Sequence, residues 1–255
     1  MIHTGRVVNE WPATNARERR ALADLSHARL NFDPSRRHEF TSANGWHLDQ
    51  RREPLPAEPS GPPVSGGSWE TACRLMRGYE FADPTIVRAF YNPEEPLEGR
   101  NMLLELRFWG LRFLVGTRVS SEYEETRTLD GGEVHVWGWS YATLEGHFER
   151  GEMAWEVRKW LETGAVEFAI RAYSQRAEIR NPLVRVGFIL LGRREQLRFY
   201  DMTCRRMRSL TARALAEGPN GDAVRQAAAK LTPRPATGTS PEEPARRIET
   251  GGDCE

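Results

Sequence analysis

Apolar and polar positions alternate along the middle of the chain in six runs. They are "TIVRAFY" (85–91), "NMLLELRFW" (101–109), "LRFLVGTRVSSEYEET" (111–126), "EVHVWGWSYAT" (133–143), "EMAWEVRKW" (152–160) and "AVEFAIRAYS" (165–174). A period of two is the strand signature, because successive side chains leave opposite faces. The connections are short and carry Gly, Asp, Asn or Pro, which predicts antiparallel hairpins. "LDGGE" (129–133) is the clearest turn. "GWHLDQRRE" (45–53) reads as an earlier strand, and "PLPAEPSGPPVSGG" (54–67) as a Pro/Gly/Ser loop.

Three other stretches repeat at helical spacing. The segment from about Thr14 to Ser26 follows capping residues and turns charged with periodic Ala and Leu. "SWETACRLMRGYE" (68–80) opens on a Ser cap with Glu70 near the third position, and spaces Trp69, Ala72, Cys73 and Met76 helically. From Pro182 to Ala216, the positions Leu183, Val186, Leu190, Leu197, Tyr200, Cys204, Met207, Thr211 and Leu215 form one stripe. Gly218-Pro219 ends it.

The order is strand, helix, six strands, long helix. It predicts an α+β, helix-grip-like fold: a curved antiparallel sheet of about six to seven strands wrapped on the long C-terminal helix. The alternative is a generic α+β sheet with helices on one face. The expected organisation is an N-terminal helix and irregular extension (1–45), the helix-grip-like domain (46–216) and a tail (217–255). The tail nearly lacks large apolar residues and is expected to be disordered.

Composition changes this picture little. The 255 residues are 39% apolar, enough for one real core. Lys+Arg and Asp+Glu balance at 36 each, so overall charge points to no partner class. Cys73, Cys204 and Cys254 are far apart and odd in number, which argues against a disulfide framework and suits a reducing cytoplasm. "MIHTGRVVNEW" has no apolar h-region, so no secretory signal is expected, and "VGFILLG" is too short to span a bilayer.

The densest segment is "WGWSYATLEGHFERGEMAWEV" (137–157). Its part from Tyr141 to Glu152 resembles the signature of the DUF1990 family through Tyr141, Thr143, Leu144, Gly146, His147, Glu149, Gly151 and Glu152. Downstream, Ile170, Arg171, Ala172 and Ser174 are similar to a second family segment. Ala142 and Glu145 stand where the family usually has Gly and Pro, and Met153-Ala154-Trp155 also departs from it. The resemblance spans roughly residues 28–213. It implies a START/Bet v 1-like (SRPBCC) fold and no particular reaction.

Candidate chemistry gathers at the same hairpin. Alternation puts His135, Trp137, Trp139 and Tyr141 on one face of their strand. Two readings of the tryptophans stand. They fill a core or an oligomer interface, with a homodimer as a partner, or they line an apolar pocket with a few placed polar groups. The pocket reading names Trp137, Trp139, Trp155, Phe168, Ile170, Arg171, Ser174 and Arg194 as ligand-binding residues. His147 and Glu152 flank the hairpin bend. Folded back, they form either an acid–base pair, with Tyr141 or Arg171 stabilising an anion, or a lock on the turn with Gly146 and Gly151 at positive φ.

No third ligand at telling spacing accompanies His147-x-Glu149, so no metal is expected. No phosphate loop, dinucleotide fingerprint or nucleophile elbow is present, so no cofactor is expected. Residues 176–213 carry ten arginines against Glu178, Glu195 and Asp201. They predict a solvated face partly paired to sheet carboxylates such as Glu156 or Glu167, with Arg193 and Arg194 interrupting the apolar stripe. No nucleic-acid partner and no membrane span is expected. Three functions remain: binding a hydrophobic or amphipathic small molecule between sheet and helix; cofactor-independent cyclase, dehydratase, isomerase or hydrolase chemistry; or a basic-helix interaction module.

Overall fold

A computed structural model of the chain describes residues 16–108, 110–178 and 182–218. The elements are α1 (Ala16–Asp24), β1 (His47–Leu55), α2 (Ser68–Arg77), β2 (Val87–Phe90), β3 (Asn101–Phe108), β4 (Leu111–Leu129), β5 (Gly132–Thr143), β6 (Glu149–Trp160), β7 (Val166–Arg176) and α3 (Pro182–Glu217). Short 3-10 turns at Leu25–His27, Pro34–Glu39 and Ser42–Asn44 occupy the stretch expected to be irregular. The predicted helix start at Thr14, the tail beyond residue 218 and Cys254 lie outside the described residues.

The seven strands form one antiparallel sheet in the order β1-β7-β6-β5-β4-β3-β2. Hairpins build β2 to β7, and β1 closes the far edge against β7. The α+β helix-grip class therefore stands as expected. The β4–β5 turn puts Asp130 at φ 48° and Gly131 at φ 83°, as a two-residue turn of matching twist requires. No helix among the described residues is long and apolar enough to cross a membrane.

α2 differs from expectation at both ends. α2 ends at Arg77 rather than residue 80, because Tyr79 turns to φ 54°. Its N-terminus is capped from outside as well: the Glu58 carboxylate accepts the Trp69 amide at 2.7 Å and the Lys159 ammonium at 2.6 Å. Ser68, the predicted cap, is instead the first helical residue.

The sheet has an inner face under α2 and α3 and an outer face. Trp139, Trp155, Phe168, Ile170, Tyr79, Phe81, Tyr200 and Met207 pack together inside, each at most 1% exposed. Trp155 stacks on Phe168 at 6.1 Å between ring centroids and meets Phe81 at 4.6 Å. The N-terminal extension crosses the outer face. Leu25 packs with Phe90, Leu103 and Leu144, while Phe40 and Trp46 pack with Tyr173. Phe40 and Trp46 stack at 4.0 Å.

Candidate functional site

The β5–β6 hairpin explains most of its own residues by architecture. Thr143 Oγ1 accepts the Gly151 amide at 2.9 Å and lies 2.6 Å from Asn31 Oδ1, tying the loop to the N-terminal extension. Leu144 is fully buried and forms a bridge with Leu30. Gly146 has φ 88° and Gly151 φ 146°. A Cβ at Gly151 would stand 2.0 Å from the Tyr173 carbonyl oxygen, so no other residue fits there. His147 Nδ1 accepts the Glu149 amide at 3.0 Å. Burial lowers the His147 pKa to about 4, so the ring is neutral at pH 7.

The His147–Glu152 pair does not form. His147 sits in the loop against Glu149, whereas Glu152 lies in β6, paired with Ala142 and Tyr173 on the outer face. The hairpin does fold back, but strand phase sends Glu152 to the outer face while the His147 ring turns to the Glu149 backbone.

Tyr141 and Glu149 are the signature residues whose side chains reach the inner face. There Gln196 of α3 donates through Nε2 to Glu149 Oε2 at 3.1 Å and to Ser174 Oγ at 2.9 Å. Arg193 donates to Gln196 Oε1 at 2.6 Å and clasps Asp49 of β1 at 2.5–2.6 Å. Burial raises the Glu149 pKa to about 7; Arg193 pulls it down and Asp49 pushes it up. Burial raises the Tyr79 and Tyr141 phenols, and Tyr141 Oη donates to Met153 Sδ at 3.6 Å. Glu149 and Tyr141 both act on Tyr200, whose hydroxyl has no hydrogen-bond partner among the described residues. Thr203 Oγ1 and the Trp139 and Trp155 indole nitrogens are likewise buried without partners. The loop end of the apolar interior thus carries a protonatable carboxyl, an amide, a serine hydroxyl and several phenols.

The other expected site residues divide by face. Trp139, Trp155, Phe168 and Ile170 are buried in the inner core. Trp137 is buried near the rim; its Nε1 donates to Glu122 at 3.3 Å and Arg77 lies over its ring at 4.8 Å. Ser174 belongs to the inner cluster. Arg171 does not: alternation along β7 turns it outward, where it donates to Glu156 at 2.6 Å. Arg194 is exposed, and its neighbour Arg193 is the arginine that turns to the sheet.

Sheet-pairing by the basic helix takes different partners from those expected. Arg193 meets Asp49 and Arg208 meets Glu53, both on β1. Glu156 is instead held by Arg127, Arg158 and Arg171 within the sheet. Gln196 and Glu149 were missed as site residues. Their spacing to one another is long, and only the strand phase of Glu149, shared with Met153 and Trp155, pointed inward.

No group of three or more metal-ligating side chains is present among the described residues. The family described as "Domain of unknown function (DUF1990)" matches residues 35–206, well over half of the chain. No curated protein matches. Among solved structures, the chain is similar to hypothetical protein jhp0584 from Helicobacter pylori, at 9% identity and a TM-score of 0.42, covering 72% of this chain and 96% of that one. It is similar to the di-domain ARO/CYC StfQ from the steffimycin biosynthetic pathway, at 14% identity and a TM-score of 0.41, over 76% of this chain and 58% of that one. A START superfamily protein from Mycobacterium smegmatis is similar at 12% identity and a TM-score of 0.37, over 66% of this chain and 98% of that one.

Proposed function

This chain belongs to the DUF1990 family, and we propose that it binds an amphipathic small molecule at the Glu149 end of the interior between sheet and α3. The carrying observation is a protonatable carboxyl in an apolar interior, beside a buried Tyr200 hydroxyl that has no partner among the described residues. Buried polar atoms left without hydrogen bonds cost about 1–3 kcal/mol each, and a ligand's polar head offsets that cost. A hydroxyl or carbonyl head suits the site better than an anion, because Glu149 and Asp49 already place acidic groups there. The apolar body runs toward Met153 and Phe199, at the edge of the packed aromatics rather than among them.

Thermal unfolding with 1-decanol, 2-decanone and decanoate tests this. The alcohol and the ketone are expected to raise Tm more than decanoate does, and Glu149→Leu to remove the difference. A panel that leaves Tm unchanged overturns the reading.

A second reading follows from the same carboxyl. Titrating near neutrality, Glu149 is suited to give and take a proton on the bound molecule, in place of the expected His147–Glu152 pair. It predicts deuterium exchange at the carbons beside the carbonyl of 2-decanone in D2O, detected by NMR and lost in Glu149→Gln. Equal exchange in both proteins excludes it.

A further inference from the structure

The outer face carries a groove of about 540 Å³, inside the roughly 300–1,000 Å³ span of small-molecule pockets. Its depth comes from register. Ser121, Ser140 and Ala154 stand side by side on β4, β5 and β6, so three short side chains make a hollow across the sheet. Arg171 of β7 follows, paired with Ala154, and Gln50 of β1 ends the row. The neighbouring row on one side carries Tyr123 and Glu156, and that on the other carries Glu152 and Tyr173. The N-terminal extension adds a wall, with Arg37 over the Tyr173 ring at 4.9 Å and Phe40 beside it.

Charge in the groove is separated rather than absent. Arg171 gives one nitrogen to Glu156 and keeps its side chain 47% exposed. Arg37 is exposed and enters no ion pair among the described residues. Glu152 hydrogen-bonds the Tyr173 hydroxyl and likewise has no cationic partner among them. The hollow between is polar: Ser140 Oγ lies 2.8 Å from both Ser120 Oγ and Ser121 Oγ. Arg37 and Glu152, neither of them ion-paired among the described residues, line one hydroxyl-lined hollow and complement a ligand that carries both signs.

We propose that this groove binds a small zwitterion of the amino-acid or dipeptide class. Its carboxylate meets Arg171 and Arg37, and its ammonium meets Glu152. This site is independent of the inner cluster, since it lies on the opposite face of the sheet.

Glycylglycine titrated into the 15N-labelled full chain and followed by NMR tests it. Saturable shifts are expected at the amides of Ser121, Ser140, Ala154 and Arg171, with acetate and methylammonium each at least tenfold weaker. Ala154→Leu fills the hollow and is expected to weaken binding at least tenfold. Glu152→Gln, which keeps the shape, is expected to bring glycylglycine down toward acetate. Acetate binding as well as glycylglycine overturns the assignment. So do unsaturable shifts, or equal binding by Glu152→Gln.

Discussion

Glu149, half-buried, and Glu156, buried, lie on the same strand, and loss of hydration pushes both toward the neutral form. They part company in their partners. Being an odd number of residues apart, they face opposite sides of the sheet. Glu149 looks inward and receives one amide, so its pKa rises to about 7. Glu156 looks outward, where Arg158, Tyr123, Arg127 and Arg171 outweigh burial and hold its pKa at about 2. Burial alone therefore does not mark a reactive carboxyl. The inner face keeps a proton that can move, and the outer face fixes a charge that ties β4, β6 and β7 together.

The largest expected effect breaks the outer half of this contrast. Glu156→Ala leaves the guanidiniums of Arg127, Arg158 and Arg171 without their shared carboxylate. It is expected to lower unfolding free energy by about 3–5 kcal/mol, read from urea denaturation.

Glu149→Gln is expected to do the reverse, and only on the alkaline side. A folded-state pKa raised from 4.5 to about 7 means the wild type loses stability as pH rises through that interval. The variant keeps its stability, so it becomes more stable than the wild type by about 3 kcal/mol above pH 7, and equal to it below pH 4.5.

His147 titrates the other way. Its folded pKa of about 4, below the ordinary 6.5, makes stability fall as pH drops from 6.5 to 4. His147→Leu is expected to flatten that acid limb by about 3 kcal/mol in pH-dependent thermal unfolding.

The smallest effect concerns the extension. Thr143→Val removes the hydroxyl that joins Asn31 and Gly151, and is expected to cost about 1 kcal/mol. Faster proteolysis before Asn31, with the sheet intact, would check it.

The strands and helices were legible because alternation and helical spacing are local, and the β4–β5 turn because Asp130-Gly131 has the chemistry such turns need. Strand phase also placed Glu152 opposite Trp155. The same phase placed Arg171 outward from Ile170, an implication that the expected ligand-binding set set aside. What stayed hidden depends on which distant element faces a residue. Nothing near Glu58 announces that it caps α2 and meets Lys159, and nothing near Gln196 announces Glu149 and Ser174. The signature hairpin offered either an acid–base pair or a turn lock because His147 and Glu152 flank its bend. Most of the signature residues hold the bend and the N-terminal extension, leaving Tyr141 and Glu149 to the interior and Glu152 to the outer groove.

The most direct measurement is a 13C NMR titration of the Glu149 side-chain carboxyl in the intact chain, repeated with 1-decanol. A midpoint near pH 7 that moves when the alcohol binds is expected. A midpoint in the ordinary carboxylate range, unchanged by the alcohol, would contradict an interior carboxyl that receives a ligand.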